Sequence, residues 1–123
     1  MYSDAKKVID FAGASPATLG LESQTQLETL VESWLVQIAD YINRDRNRDF
    51  SAEEEVPPII DNIALRMAVN MIRSAERQRT GSVVKFDATE DSLPVADARI
   101  FTDSIRRDLM RVPRKPAVRI TRG

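Results

Sequence analysis

PPIIDNIALRMAVNMIRSAERQR, residues 57–79, is the longest uninterrupted helical pattern in the chain, and the fold is organised around it. Pro57 and Pro58 stand in its first turn, where the missing N–H groups would have no intrahelical partner anyway. Behind them Ile59, Ile60, Ile63, Ala64, Met67, Ala68, Met71, Ile72 and Ala75 recur at steps of three and four. That apolar stripe is wider than one contact seam needs. A helix of this length runs roughly 30 Å, more than one short neighbour covers. The spacing therefore predicts a central helix with other segments packed around it.

The next helix upstream has a clear start. Ser23 and Gln26 stand at the S-x-x-Q spacing of a capping box. Leu27, Leu30, Val31, Trp34, Leu35, Ile38, Tyr41 and Ile42 then follow the 3.6-residue period, with Glu28, Glu32 and Asp40 on or beside the other face. Trp34 on that stripe reads as a core anchor. Residues 3–11 form a candidate short helix capped by Ser3, with Val8, Ile9 and Phe11 as apolar contacts. The stretch AGASPATLG that follows is punctuated as a loop.

NRDRNRDF, residues 43–50, alternates Arg44, Arg46 and Arg48 with Asp45 and Asp49 before returning to Phe50. The interleaved acids argue against a strong phosphate-binding surface, so the stretch reads as a solvated helix end. Glu53, Glu54 and Glu55 precede the central helix, where negative charge suits the helix dipole. Three adjacent glutamates rarely converge on one ion, so they do not read as a metal site.

Beyond the central helix, Gly81 offers a left-handed stop. Residues 82–89 alternate Val84, Phe86 and Ala88 against Lys85, Asp87 and Thr89, which is strand periodicity. A third helix is expected over 93–110, starting near Asp91 or Ser92 with Pro94 in its first turn. Val95, Ala98, Phe101, Ile105 and Leu109 form its apolar side, and Asp103 and Arg107 stand at the spacing of a surface pair. Pro113 and Pro116 forbid continuation. The tail from 111 to 123 holds Arg111, Arg114, Lys115, Arg119 and Arg122 and no acid, with Val118 and Ile120 in a second strand-like alternation. The two strand-like pieces either pair with each other, add to a neighbouring molecule, or in the tail's case form a disordered basic segment.

Composition bounds the rest. The chain of 123 residues suits a single domain that buries about two-thirds of its unfolded surface. It has no Cys, excluding disulfides and thiol chemistry, and no His, removing the commonest general base and zinc ligand. No apolar run approaches the ~18 residues of a membrane span, and VIDFAGAS is too short and too interrupted for a signal-peptide core. A soluble cytosolic product is expected. The net charge of −1 conceals an asymmetry: residues 1–65 carry 5 Lys/Arg against 12 Asp/Glu, and residues 66–123 carry 13 against 7. That is either surface scatter or a molecule with one acidic and one basic end, suited to stacking on copies of itself or to bridging unlike partners. With four scattered glycines, no phosphate loop exists. No catalytic, cofactor or metal constellation is found, and an enzyme is not expected.

The order of parts from 24 to 112 resembles the small head–tail connector (head-completion or adaptor) proteins of tailed bacteriophages and related prophages. The matching features are the amphipathic helix ending in Tyr41, the Arg-rich turn closing on Phe50, and VPPIIDNIALRMAV entering the long helix. Its basic end at Arg77 and Arg79, a loop with strand character, and a helix running into DLMRVPRKP complete the match. Many relatives place an aromatic residue near the end of the long helix, where this chain has Ser74 and Ala75, and residues 1–22 lie outside the match.

The resemblance implies a non-enzymatic ring of about a dozen copies in the virion neck, made in the bacterial host cytoplasm. Its partners would be other copies of itself, the portal protein, a tail or head-closure protein, and double-stranded DNA passing without sequence readout, with no membrane. The expected fold is mainly α: a small helical bundle around a long central helix, with a short β-hairpin or strand-like loop and an extended C-terminal arm. Residues 1–112 would be the helical domain and 113–123 the basic arm. Arg114, Lys115, Val118, Arg119 and Ile120 would dock the arm on portal or neighbour. Asp61, Arg66, Asn70, Arg73, Lys85 and Phe86 are candidates for subunit contact or the channel wall. The rival expectation is a small helical DNA-binding regulator using the basic tail, against which stand the absent helix–turn–helix spacing and a pI near 5.5. A toxin-neutralising or enzyme-accessory subunit rests only on the acidic N-terminal half.

Overall fold

The protein was analysed as a computed structural model, which describes residues 2–50, 56–81, 95 and 97–113; residues 78–81 are described by their backbone alone. Among the described residues the secondary structure is helical: α1 (Ala5–Ala12), a short 3₁₀ helix (Pro16–Leu19), α2 (Gln24–Arg46), α3 (Pro58–Gly81) and α4 (Asp103–Met110). The strand-like stretches at 82–89 and 117–122, and the arm from 114 onward, lie outside the described residues.

Every other helical element packs on α3. Its burial goes beyond the predicted stripe: Leu65, Val69 and Ser74 join Ile60, Ile63, Ala64, Met67, Ala68, Met71, Ile72 and Ala75. A helix apolar on most of its circumference has to be surrounded. α1 and α2 pack on each other as well as on α3, and α4 covers a further side of α3. The core is continuous from Tyr2 to Val112, with Trp34, Leu27, Leu35, Ile38 and Ile42 of α2 buried against α3. No described helix is long and apolar enough to cross a membrane.

Local chemistry explains where the helices begin and end. α1 is capped by Asp4, whose Oδ1 accepts from Lys6 N at 2.9 Å, and not by Ser3. Ser3 instead sits at φ 62, a left-handed conformation outside the helix. α1 stops at Gly13 (φ 67), whose N–H and that of Ala14 close onto Asp10 and Ile9 carbonyls. Phe11, expected in the apolar contact, is 66% exposed, because Val8 and Ile9 take the buried side of so short a helix. Only half of the predicted capping box forms. Ser23 Oγ accepts from Gln26 N at 3.2 Å, but Gln26 Oε1 reaches back to Glu22 N at 2.8 Å.

The third predicted helix is shorter than the pattern over 93–110. Asp97 folds a turn in which its carboxylate takes Arg99 N, Nε and Nη2, and its carbonyl takes Ile100 N and Phe101 N. The helix proper starts after Thr102, whose extended backbone and Oγ1 cap Ile105 N. Ile100 and Phe101 are buried as side chains of the turn, while Ala98 is exposed.

Candidate interaction surface

The part of the molecule with the most unusual chemistry is the C-terminal end of α2. The helix continues a full turn beyond Ile42, through Arg46, and stops at Asn47 in the left-handed conformation (φ 49). Asn47 N and Arg48 N then close onto Arg44 and Asn43 carbonyls at 3.3 and 3.0 Å. The turn returns Phe50 to the core, where Tyr2 meets it edge-on at 6.2 Å between centroids. Tyr2 donates its hydroxyl to Asn43 Oδ1 at 2.6 Å, and the Arg48 guanidinium lies 4.7 Å from the Phe50 ring centroid.

Two arginines from this turn hold the chain as it leaves α4. Arg46 Nη1 donates to the Val112 carbonyl at 3.1 Å, and Arg48 Nη1 to the Pro113 carbonyl at 3.0 Å. A carbonyl just past a helix end has no intrahelical donor, and a guanidinium supplies one at fixed geometry. Arg46 is only 8% exposed; its Nε pairs with Asp45 at 2.9 Å. The expectation of a solvated helix end is therefore corrected for Arg46. A signal for it existed: Arg46 follows Ile42 by four residues and Ile38 by eight, in phase with the buried stripe.

The α3 positions expected to stay open are mostly used within the chain. Asp61 Oδ1 accepts from Ser3 N at 3.1 Å, joining the N-terminal segment to the first turn of α3. Arg66 pairs with Asp108 and donates to Ser104 Oγ at 3.0 Å, fastening α4. The hydrogen bond from Arg66 holds the Asp108 carboxyl below its ordinary range. Asn70 Nδ2 donates to the Ile100 carbonyl at 3.1 Å. All three are half-buried, because elements cross α3 on several sides and the polar residues edging its stripe become ties. Arg73 is exposed. Lys85, Phe86, Arg114, Lys115, Val118, Arg119 and Ile120 lie outside the described residues, as do Glu53, Glu54 and Glu55. Asp103 and Arg107, expected as a pair, form none among the described residues; in α4 it is Asp108 that is paired.

Tyr41, half-buried on α2, stacks edge-on against Phe101 at 5.0 Å, and burial raises its phenol above the ordinary value. Arg106 lies 5.4 Å from the same Phe101 ring. Among the described residues no group of three or more carboxylates is placed to share a metal ion. Comparison with protein-family models, with curated proteins and with solved structures finds no match for this chain.

Proposed function

We propose that this chain is a structural connector subunit: a helical body that assembles into a ring between the portal and the tail of a bacteriophage and uses its basic C-terminal arm to engage a neighbour. The observation that carries the reading is the double clamp of Arg46 and Arg48 on the Val112 and Pro113 carbonyls. The clamp fixes the point at which the chain leaves the helical body, as an arm that engages a neighbour requires. Beyond the root, Arg114, Lys115, Arg119 and Arg122 supply positive charge without a single acid.

The order of helices that resembles connector proteins, and the opposed charge of the two halves, support the same reading. In it Val118 and Ile120 supply apolar contact to the partner, and the exposed Arg73 faces a neighbour or the DNA channel. The virion neck is where such a subunit would act.

The test is solution mass and negative-stain imaging of the chain with and without the cognate portal, together with a chain truncated after Pro113. Annular particles with the portal, lost on truncation while helicity and unfolding midpoint are kept, are the expected result. A small dimer that retards duplex DNA in a salt-dependent way, with no ring in any condition, would replace the proposal by a DNA-binding regulator.

A further inference from the structure

Three large apolar side chains stand exposed among the described residues: Phe11, Val36 and Met110. Two of them sit within surfaces of opposite charge. Val36, 59% exposed, lies on the outer face of α2, with Glu32 one turn before it and Asp40 one turn after, both exposed. From Gln24 to Asp40 this helix holds three acids and no basic residue. Met110, 62% exposed, ends α4, with Arg106 and Arg107 within the turn before it and Arg111 beside it, all exposed. The acid of that turn, Asp108, is half-buried and paired with Arg66. Glu32 and Arg107 form no ion pair among the described residues, whereas Asp40 holds Arg44 at 3.1 Å.

We infer that the outer face of α2 in one copy docks on the outer face of α4 in a second copy, Val36 against Met110 and Arg107 against Glu32. The dimensions match. At about 1.5 Å per residue, Glu32 lies about 6 Å from Val36 along its helix, and Arg107 about 4.5 Å from Met110 along its own. With the two helices running in the same direction, these charges fall on the same side of the apolar contact. The long stem of Arg111 then carries its guanidinium toward Asp40 on the other side. Either face docked on its own kind would set carboxylate against carboxylate or guanidinium against guanidinium, which is unfavourable.

The contact is heterologous. α2 and α4 pack on different sides of α3, so a copy that gives α2 to one neighbour keeps α4 for the next. Repeated, such a contact closes into a ring or continues as a filament. The inference deepens the ring reading by naming the contact between neighbours, and it rests on that reading only for closure of the array. Each contact is small, one apolar pair rimmed by charge, so its strength comes from repetition around the assembly.

The chain has no cysteine, so single introduced thiols report on contacts between copies. Full-length Val36→Cys and Met110→Cys chains are mixed in equal amounts, alone and with the cognate portal, and oxidised with a copper–phenanthroline catalyst. The mixed dimer should exceed each symmetric dimer by at least about tenfold, because the symmetric pairings bring like charges together. In the control, Phe11→Cys replaces Val36→Cys; Phe11 is similarly exposed but stands between Lys7 and Asp10, and a near-statistical mixture is expected. Adding Glu32→Arg to the Val36→Cys chain should abolish the preference, and adding Arg107→Glu to the Met110→Cys chain should restore it. Salt at ~1 M, where the Debye length is about 3 Å, should weaken it. A statistical mixture of dimers, an excess of either symmetric dimer, or no cross-link in either condition would overturn the contact. A preference untouched by charge reversal would overturn the pairing of Glu32 with Arg107. Annular particles that persist without the preferred cross-link would sink this interface and leave the ring reading standing. Preferred mixed dimers without annuli would keep the interface and remove the ring.

Discussion

The middle of α2 and its C-terminal end pack against the rest of the chain by different means. Around Trp34 the contact is apolar on both sides, with Leu27, Val31, Leu35 and Ile38 closing against α3. At the C-terminal end the Arg46 guanidinium, the Asn43 amide and the phenol of Tyr2 from the N-terminal segment make the contact, and their polar atoms are matched to specific acceptors. Apolar burial is non-directional and tolerates sliding, so the middle fixes that α2 and α3 pack. Hydrogen bonds from a buried arginine are directional and cost free energy when mispaired, so the end fixes where the chain's C-terminal segment departs.

The largest effect expected from this difference is at the apolar centre. Trp34→Ala should cost about 3–5 kcal/mol in urea unfolding, enough to unfold much of the population of a marginal domain. A loss below about 1 kcal/mol would mean that Trp34 is not the anchor of the core. Next comes the arginine. Arg46→Ala should cost about 1–3 kcal/mol, since the Val112 carbonyl is left buried without its donor. It should also raise amide exchange across 109–113 more than across α2, whereas a cavity at the centre should raise exchange in α2 and α3 together. If the two substitutions gave the same exchange pattern, the division between the regions would fail.

Tyr2→Phe isolates one polar contact at the same end, keeping the ring on Phe50 while removing the hydroxyl bonded to Asn43. About 1 kcal/mol is expected, read from the same unfolding curves. The smallest effect concerns an exposed-edge tie. The folded-state carboxyl of Asp108 is lowered from its ordinary value of 3.8, first by the hydrogen bond from Arg66. Its stabilisation is therefore complete above that value and lost as pH falls through the lower, folded-state value. The unfolding midpoint of the native chain should exceed that of Asp108→Asn at neutral pH, and the gap should narrow below about pH 4. A gap that stayed constant with pH would assign the loss to packing.

Much of the fold was legible because its signals are local. The 3.6-residue stripe of α2, the prolines opening α3, Ser23 as a cap and the stop before Pro113 all act within one or two helical turns. The errors were local too, where two nearby groups competed. Asp4 capped in place of Ser3, and the Asp97–Arg99 turn with Thr102 delayed α4. The candidate surface was much less legible. Asp61, Arg66 and Asn70 looked like free polar residues beside a stripe, and each is tied to a group far along the chain.

The sequence alone determined that this is a helical chain without thiol or imidazole chemistry, with a long central helix and a basic C-terminal segment. Composition and short-range periodicity carry all of that. Only the tertiary structure decided that Tyr2 and the N-terminal segment belong to the core, and that Arg46 and Arg48 hold the Val112 and Pro113 carbonyls. Arg46 and Val112 are 66 residues apart. No local pattern encodes a pairing at that separation, because it exists only once α2, α3 and α4 have packed and brought a helix-end carbonyl within reach of a guanidinium.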